Sequence, residues 1–333
     1  MILNPAIIAL LTVSLLISTF AIYAAVIGFD IVRFWDIRDG GTRQLMLERK
    51  TYLVSTIFSY LLIFELLSLF LFVYTADDMH GIFVGAMCAA GSLNVNAFGY
   101  PTLVIKIFNF LLCGIWLIVN HTDNQGFDYP MIRPKYKFLM GIAVMLLLEA
   151  WLQLNYFKHL QANVITSCCG TLFSENAVGV AGVIAGLPSY PAKILFYLSV
   201  VLMLRTGIHY LVTGRSARIF AAMSVWLLLF SIVALISFIG VYFYELPTHH
   251  CPFCLLQGEY HFVGYPLYLS LLTAGITGGA TGVIDGFKNL ESLKTVIPGL
   301  QKKLCIVSMV GFVIFTLIST YPMIFSDFRL EGY

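Results

Sequence analysis

The stretch "IFAAMSVWLLLFSIVALISFIGVYFY", residues 219–244, contains no charged side chain. A helix rises about 1.5 Å per residue, so a run of this length crosses the roughly 30 Å hydrocarbon core of a bilayer. Backbone polar groups inside lipid must find their hydrogen bonds within the segment. A continuous apolar run does so as a helix rather than as an alternating barrel strand. The stretch therefore predicts a transmembrane helix.

Similar blocks recur along the whole chain of 333 residues, which is 59% hydrophobic and only 11% charged. The first block has no basic residue before it and is longer than a signal-peptide core, so we expect an uncleaved span. The fold class predicted is all-α: one integral membrane domain, residues 1–333, built as a polytopic helix bundle. About eight spans are predicted, near 5–28, 51–75, 102–120, 138–158, 191–213, 219–244, 267–287 and 304–326.

Basic residues gather in alternate connections, which carry 14 of the 19 Lys and Arg residues. The stretch from Arg43 to Lys50 in the first of them is expected to form an interfacial helix. The loops near 76–101, 159–190 and 245–266 contain no Lys or Arg. By the positive-inside rule these three loops and both termini face outward across a cell (inner) membrane. Lipid is the expected partner, and no nucleic-acid partner is expected.

The three outward loops also hold most residues with soft or titratable donors. Five of the seven cysteines lie there, whereas Cys113 and Cys305 belong to spans. In a bacterium the outward side is oxidising, so disulfides can form and persist. The outward residues are Cys88, Cys168, Cys169, Cys251 and Cys254, with His80, His159, His249, His250 and His261.

The loop "PTHHCPFCLLQGEYHFVGYP", residues 247–266, contains Cys251 and Cys254 at a C-x-x-C spacing. This spacing lets two sulfurs meet across one helical turn, and a helix beginning here would favour the Cys251 thiolate through its dipole. The same spacing occurs in structural disulfides and zinc sites, so three alternatives stay open. A c-type haem site is excluded because Leu255, not histidine, follows Cys254.

The segment Cys251–Gln257 resembles the C-x-x-C-x-x-Q segment of the membrane thiol–quinone oxidoreductases of the DsbB type, which make disulfides, and to which vitamin K epoxide reductases are functionally similar. This resemblance implies a redox-active Cys251–Cys254 pair, a quinone as electron acceptor, and a thioredoxin-like or other extracytoplasmic protein as partner. It also implies a second cysteine pair on another outward loop. Cys168 and Cys169, with Cys88, are the candidates for that second pair.

A quinone ring needs flat apolar walls, and aromatic residues crowd the end of the sixth predicted span. Tyr242, Tyr244 and Phe238 are candidate quinone contacts, and the resemblance adds Gln257. Interfacial aromatic belts explain such residues equally well.

A metal ion fits the outward donors, whereas the presence of only one histidine well inside a predicted span counts against a buried bis-histidine haem. His80 and Cys88 stand eight residues apart and, with Met87, offer soft ligands for copper, while His249 and His250 are further metal candidates. A b-type haem needs two buried imidazoles, and His209 is the one histidine well inside a predicted span. The segment 77–101 is expected to be re-entrant and covered by the bundle.

Charged residues inside spans are costly, so we expect Glu65, Glu149 and Arg205 to face the bundle interior and to pair. Arg205 and His209 are four apart and share one helix face. Such residues serve either as a proton path or as an ion pair that fixes helix packing. The small-residue run "TAGITGGATG", residues 273–282, predicts close helix packing.

Three functions follow from these patterns. The leading expectation is a membrane thiol–disulfide oxidoreductase or electron relay that exchanges electrons between outward cysteine pairs and a quinone or redox partner. The alternative is a non-catalytic subunit of a transport, export or respiratory assembly whose cysteines form structural disulfides. The third is a membrane protein that handles copper or zinc.

Overall fold

The computed structural model describes residues 3–38, 40–162, 164–166, 173 and 180–330. Within this part of the chain, eight helices are long and apolar enough to cross a membrane. The predicted all-α, multi-pass bundle is thereby confirmed. The eight candidate spans are Pro5–Phe34, Thr42–Ile82, Gly99–Asp123, Ile132–Lys158, Ser189–Thr213, Ala217–Tyr244, Gly264–Asp285 and Val296–Phe325.

The α-helices in chain order are α1 (Pro5–Phe34), α2 (Thr42–Asp78), α3 (Ala89–Leu93), α4 (Gly99–Asp123), α5 (Ile132–Lys158), α6 (Val180–Ala185), α7 (Ser189–Thr213), α8 (Ala217–Ala234), α9 (Gly240–Tyr244), α10 (Gly264–Asp285) and α11 (Val296–Phe325). A π-helical turn, Leu235–Ile239, joins α8 to α9. The sixth span is therefore one helix with a local irregularity.

The largest departure from the predicted boundaries is at the start of α2. The stretch Arg43–Lys50, expected to be a separate interfacial helix, continues directly into the second span. Its residues are mostly good helix formers and include neither glycine nor proline, so nothing in the sequence interrupts the helix.

Local signals place other helix ends. Asn4 caps α1 by accepting a hydrogen bond from the Ala6 backbone N–H, and Pro5 occupies the first turn. Both are typical of helix starts. Helix α7 ends at Gly214, whose φ of 67° lies in the left-handed region that glycine adopts without strain.

The chain divides into two compact units, and the predicted single membrane domain stays a prediction. The first unit comprises Met1–Thr75, Asn96–Leu160 and Gly286–Gly299. In it, α5 packs against both α1 and α4. Its apolar core includes Phe58 and Trp116, whose rings meet edge to face at 5.6 Å, and the buried ring of Tyr136.

The second unit comprises Ala76–Val95, Gln161–Asp285 and Leu300–Tyr333. Helix α8 packs against α7 and α10. The glycines of α10 allow this approach, because a Cβ at Gly282 would lie 2.5 Å from Ala221 Cβ and one at Gly275 would lie 2.7 Å from a Leu228 methyl carbon. The close packing predicted for residues 273–282 is confirmed.

Candidate functional site

Three cysteines from two loops of the second unit form one buried cluster, here called the thiol cluster: Cys88, Cys251 and Cys254. All three sulfurs lie within 4.8 Å of one another. Cys88 Sγ and Cys251 Sγ are 3.6 Å apart although 163 residues separate them in sequence. Cys88 and Cys251 are 0% exposed and Cys254 is 5% exposed. The cluster is thus shielded from solvent by the protein around it.

The loop that carries Cys88 follows the end of α2. A one-turn 3-10 helix, His80–Ile82, leads to Gly85, whose φ is 89°. A Cβ at Gly85 would lie 2.6 Å from the Thr166 carbonyl oxygen, so only glycine fits there. Cys88 then precedes α3, whose five residues are all buried. The expectation that the chain covers this segment is confirmed for α3.

Hydrogen bonds hold the Cys88 loop against the Cys251 loop. The Gln257 side-chain amide donates to the Met87 carbonyl oxygen at 2.9 Å and to Asp77 Oδ1 at 3.3 Å. Asp77 Oδ1 also accepts from the Ala89 backbone N–H at 2.9 Å. Gln257, which the resemblance nominated as a quinone contact, therefore joins the residues that flank Cys88 to the Cys251 loop.

Two tyrosines anchor the backbone around Cys251. The Tyr244 hydroxyl donates to the Cys251 carbonyl oxygen at 2.5 Å, and the Tyr268 hydroxyl donates to the Pro252 carbonyl oxygen. Buried polar groups that are satisfied in this way fix one loop conformation. The hydrogen bonds from the two tyrosines therefore hold the Cys251 backbone, and with it the sulfur, in one position.

The helix expected to begin at Cys251 does not form. Cys254–Leu256 is a single 3-10 turn, and Gln257 follows in an extended conformation. A second 3-10 turn, Gly258–Tyr260, follows, and both His261 and Phe262 after it have positive φ. Such backbone interrupts a helix, so the expected dipole effect on the Cys251 thiol has no structural basis.

The histidines proposed as ligands occupy different places. His249 Nε2 lies 3.4 Å from Cys254 Sγ, and its ring meets Tyr244 edge to face at 4.4 Å. Burial lowers the pKa of His249, and the Cys88 thiol partly offsets this effect. The imidazole is therefore neutral near pH 7, as a metal ligand must be.

His250 and His80 bond to backbone carbonyls. His250 Nδ1 lies 2.8 Å from the Ile236 carbonyl oxygen, within the π-helical turn. His80 Nδ1 lies 2.5 Å from the Asp77 carbonyl oxygen. In the described part of the chain, the group of mutually close donor atoms consists of the three sulfurs, and no imidazole belongs to it, that of His249 included.

Two donor–donor distances at the thiol cluster are close to those between two ligands of one metal ion. A tetrahedral ion with zinc-like bond lengths separates two thiolate sulfurs by about 3.8 Å and a sulfur from an imidazole nitrogen by about 3.6 Å. The corresponding distances here are 3.6 Å for Cys88–Cys251 and 3.4 Å for Cys254–His249. The donor set suits a soft or borderline metal ion.

The aromatic residues proposed as a quinone wall have separate partners. Phe238 packs on Phe196 in the core, Tyr242 accepts a hydrogen bond from Lys193 at 2.6 Å, and Tyr244 supports Cys251. Quinone binding stays a prediction. The second pair, Cys168 and Cys169, lies outside the described residues.

The intramembrane charges divide into two groups. Glu65 and Glu149 are buried in the first unit and both contact Lys106, which confirms the expected pairing. Arg205 and His209 instead are exposed and line a groove of about 390 Å³. The predicted interior position of Arg205 is therefore wrong, because α7 buries the opposite face, which carries Phe196, Met203 and Tyr210.

The sequence analysis gave Lys106 no role. Lys106 is 1% exposed and lies one helical turn from Asn109, and both contact Glu149. This i, i+3 pair of polar residues in an apolar span was the available signal.

Comparison of the chain with protein-family models, with curated proteins and with solved structures finds no match.

Proposed function

We propose that this protein is a multi-pass membrane metalloprotein in which Cys88, Cys251 and Cys254 bind one soft metal ion. We assign His249 as the fourth ligand because its Nε2 lies 3.4 Å from Cys254 Sγ, although it is not among the mutually close donor atoms of the thiol cluster, and zinc is the ion that fits best. The observation that carries the proposal is the convergence of three buried sulfurs within 4.8 Å. This is the third of the functions expected from sequence, and the one that the geometry supports best.

Charge balance favours a divalent ion. Metal-bound cysteines are thiolates, and buried negative charge is costly unless it is neutralised. The loops near 76–101 and 245–266 contain no Lys or Arg. A divalent ion leaves one negative charge on three thiolates, whereas copper(I) leaves two. A Cys₃His donor set is also a common structural zinc site.

The surroundings of the thiol cluster also support metal binding. Gln257, Tyr244 and Tyr268 hold the backbone on each side of the ligands by hydrogen bonds. Metal sites need such outer support to orient their ligands. Thiol exchange with a soluble protein instead needs exposed and movable sulfurs, and these sulfurs are buried.

The positive-inside rule assigns this site to the outer face of the membrane. The loops that carry the three cysteines lack basic residues, and the connections on the other side are rich in them. On that face a bound ion protects the thiols from oxidation, because a coordinated thiolate is not available to form a disulfide.

Metal analysis of the purified protein tests the proposal. We expect one zinc ion per chain after purification without chelator, and an intense thiolate-to-metal absorption after replacement by Co²⁺. Cys254→Ser should lose both signals, whereas Cys305→Ser should keep them, because Cys305 is a buried cysteine of the same unit that lies near the Gly207 carbonyl oxygen.

The results that contradict the proposal are specific. A wild-type protein without bound metal that also fails to take up Zn²⁺, Co²⁺ or Cu⁺ overturns it. Stoichiometric copper(I), with no zinc, keeps the site but overturns the choice of ion.

The second candidate is the thiol–disulfide relay, which the 3.6 Å contact between Cys88 and Cys251 supports. In this reaction the Cys88 thiolate attacks Cys251 Sγ of a Cys251–Cys254 disulfide. A Cys88–Cys251 disulfide forms, and Cys254 leaves as a thiolate that takes up a proton. A quinone or a thioredoxin-like protein would accept or supply the electron pair.

Peptide mapping after alkylation, with and without mild reductant, separates the two candidates. The relay requires both Cys251–Cys254 and Cys88–Cys251 disulfides to be recovered under different redox conditions, and it requires activity with a quinone. A metal site yields three cysteines that are protected from alkylation until a chelator is added.

A further inference from the structure

The first unit contains a second buried polar cluster, here called the carboxylate cluster: Glu65, Ser68, Lys106, Asn109 and Glu149. Glu65, Lys106 and Glu149 are each at most 3% exposed. Glu149 lies nine residues before the end of α5, which is about 13 Å along the helix axis. The cluster is therefore well inside the spanning region.

The two carboxyl groups have unequal partners. Glu149 receives a hydrogen bond from Lys106 Nζ at 2.5 Å and another from the Asn109 amide at 2.7 Å. Glu65 receives one from the Ser68 hydroxyl at 3.2 Å, and its distance to Lys106 Nζ is 3.7 Å. Charge-assisted bonds to a carboxylate are the stronger kind. Glu149 is therefore the ionised partner of Lys106.

The cluster is one positive charge short. Two carboxylates and one ammonium leave a net negative charge that is buried in a medium of low polarity, which is costly. A hydrogen-bond donor is also missing, because Asn109 Oδ1 is buried and has no partner among the described residues. A proton on a carboxyl group supplies both the charge and a donor.

We propose that Glu65 holds an exchangeable proton inside the membrane, with Lys106 and Glu149 as a permanent ion pair beside it. Release of this proton to water or to a buffer base leaves Glu65 as a carboxylate, and rebinding restores the neutral cluster. The site is a proton-binding site of the first unit, and it does not depend on the metal centre proposed for the second unit.

Infrared difference spectroscopy of the reconstituted protein tests this. A protonated carboxyl group gives a carbonyl stretching band that shifts when D₂O replaces H₂O. We expect such a band at neutral pH in the wild type and its loss in Glu65→Gln, whose side chain is isosteric. Asp78→Asn, a change at an exposed carboxylate of the same helix, should leave the band unchanged.

Lys106→Gln should change the carbonyl band in the opposite direction to Glu65→Gln. Without the ammonium, Glu149 loses its counter-charge and takes up a proton as well, so the band should increase about twofold. Several results would overturn the proposal: no protonated carboxyl band, a band that survives Glu65→Gln, or a band that D₂O does not shift. A wild-type band that appears only after Na⁺ and K⁺ are removed would also overturn it, since a bound cation would then fill the role of the proton.

Discussion

The carboxylate cluster of the first unit and the thiol cluster of the second unit are both buried, but different forces hold them together. The carboxylate cluster contains a cationic side chain, Lys106, which lies on a spanning helix and pairs with Glu149. The thiol cluster lies between loops that contain no Lys or Arg, and its ligands converge through hydrogen bonds to the backbone around them. The chain thus supplies a counter-charge for Glu149 within the carboxylate cluster, whereas under our proposal the counter-charge of the thiol cluster is a bound metal ion.

The largest effect expected from this comparison follows removal of the internal cation. Lys106→Met leaves the buried Glu149 without its partner, and loss of one member of a buried pair costs about 3–5 kcal/mol. We expect this loss in the free energy of unfolding above neutral pH, measured by denaturant titration in detergent micelles. Lys294→Met, at an exposed position between two spans in the same unit, is the matched control and should change stability by at most about 0.5 kcal/mol.

The pH dependence sharpens this first test. Because Glu65 already carries a proton under our proposal, protonation of Glu149 as the pH falls removes the uncompensated charge, so the difference between Lys106→Met and wild type should shrink. A difference that is equal at low and high pH would instead assign the loss to packing of the lysine side chain.

The next largest effect concerns the ligands of the thiol cluster. Cys88→Ser and Cys251→Ser each remove one sulfur and should lower the affinity for zinc by more than about 100-fold, the upper range for loss of an outer-shell partner. Competition against a chromophoric zinc chelator measures the affinity. Cys113→Ser, at a buried cysteine of the first unit, is the control. Equal affinities of Cys88→Ser and wild type would remove Cys88 from the site.

A smaller effect is expected from the hydrogen bonds that support the cluster. Gln257→Ala breaks the contacts to Met87 and Asp77, and should lower the affinity for zinc by about 10–100-fold while the fold is retained. Gln161→Ala, at an exposed glutamine, should have no effect. A Gln257→Ala protein with unchanged affinity would show that the two loops need no such link.

The smallest effect concerns His249. Burial lowers its pKa below the usual value of 6.5, so the unfolded chain binds the proton more tightly than the folded protein. Stability without metal is therefore full above about pH 6.5 and decreases as the pH falls through the lower folded pKa. His249→Gln should flatten this acid-side decrease in thermal melting. An identical slope in both proteins would contradict the burial effect.

Most of the fold could be predicted from sequence because lipid imposes a simple rule. Each apolar run must satisfy its own backbone, so a run such as residues 219–244 predicts a helix without knowledge of its neighbours. The pairing of Glu65 and Glu149 was predictable for the same reason, since isolated charges are costly there. Their partner, Lys106, could not be identified from the sequence. A lysine within a long apolar run can lie either near the end of the helix or in the buried interior, and the sequence does not distinguish the two positions.

The thiol cluster shows more clearly what could not be predicted from the sequence. The C-x-x-C spacing identified Cys251 and Cys254 as chemically important, and the soft donors around Cys88 suggested a metal. The sequence did not indicate that Cys88 contacts Cys251, or that Gln257 links the two loops. It also placed Arg205 on the wrong face of α7, because the apolar residues of that helix surround it on all sides.

The sequence by itself determined an all-α, multi-pass bundle with eight candidate spans in the described part of the chain, because length and hydropathy are properties of each segment alone. Only the tertiary structure decided which polar side chains meet. Contacts such as Cys88 with Cys251 and Lys106 with Glu149 join residues far apart in the chain, and they depend on how helices pack and loops fold back. Close packing of specific side-chain shapes determines which distant residues come into contact, and a periodic sequence pattern does not predict these contacts.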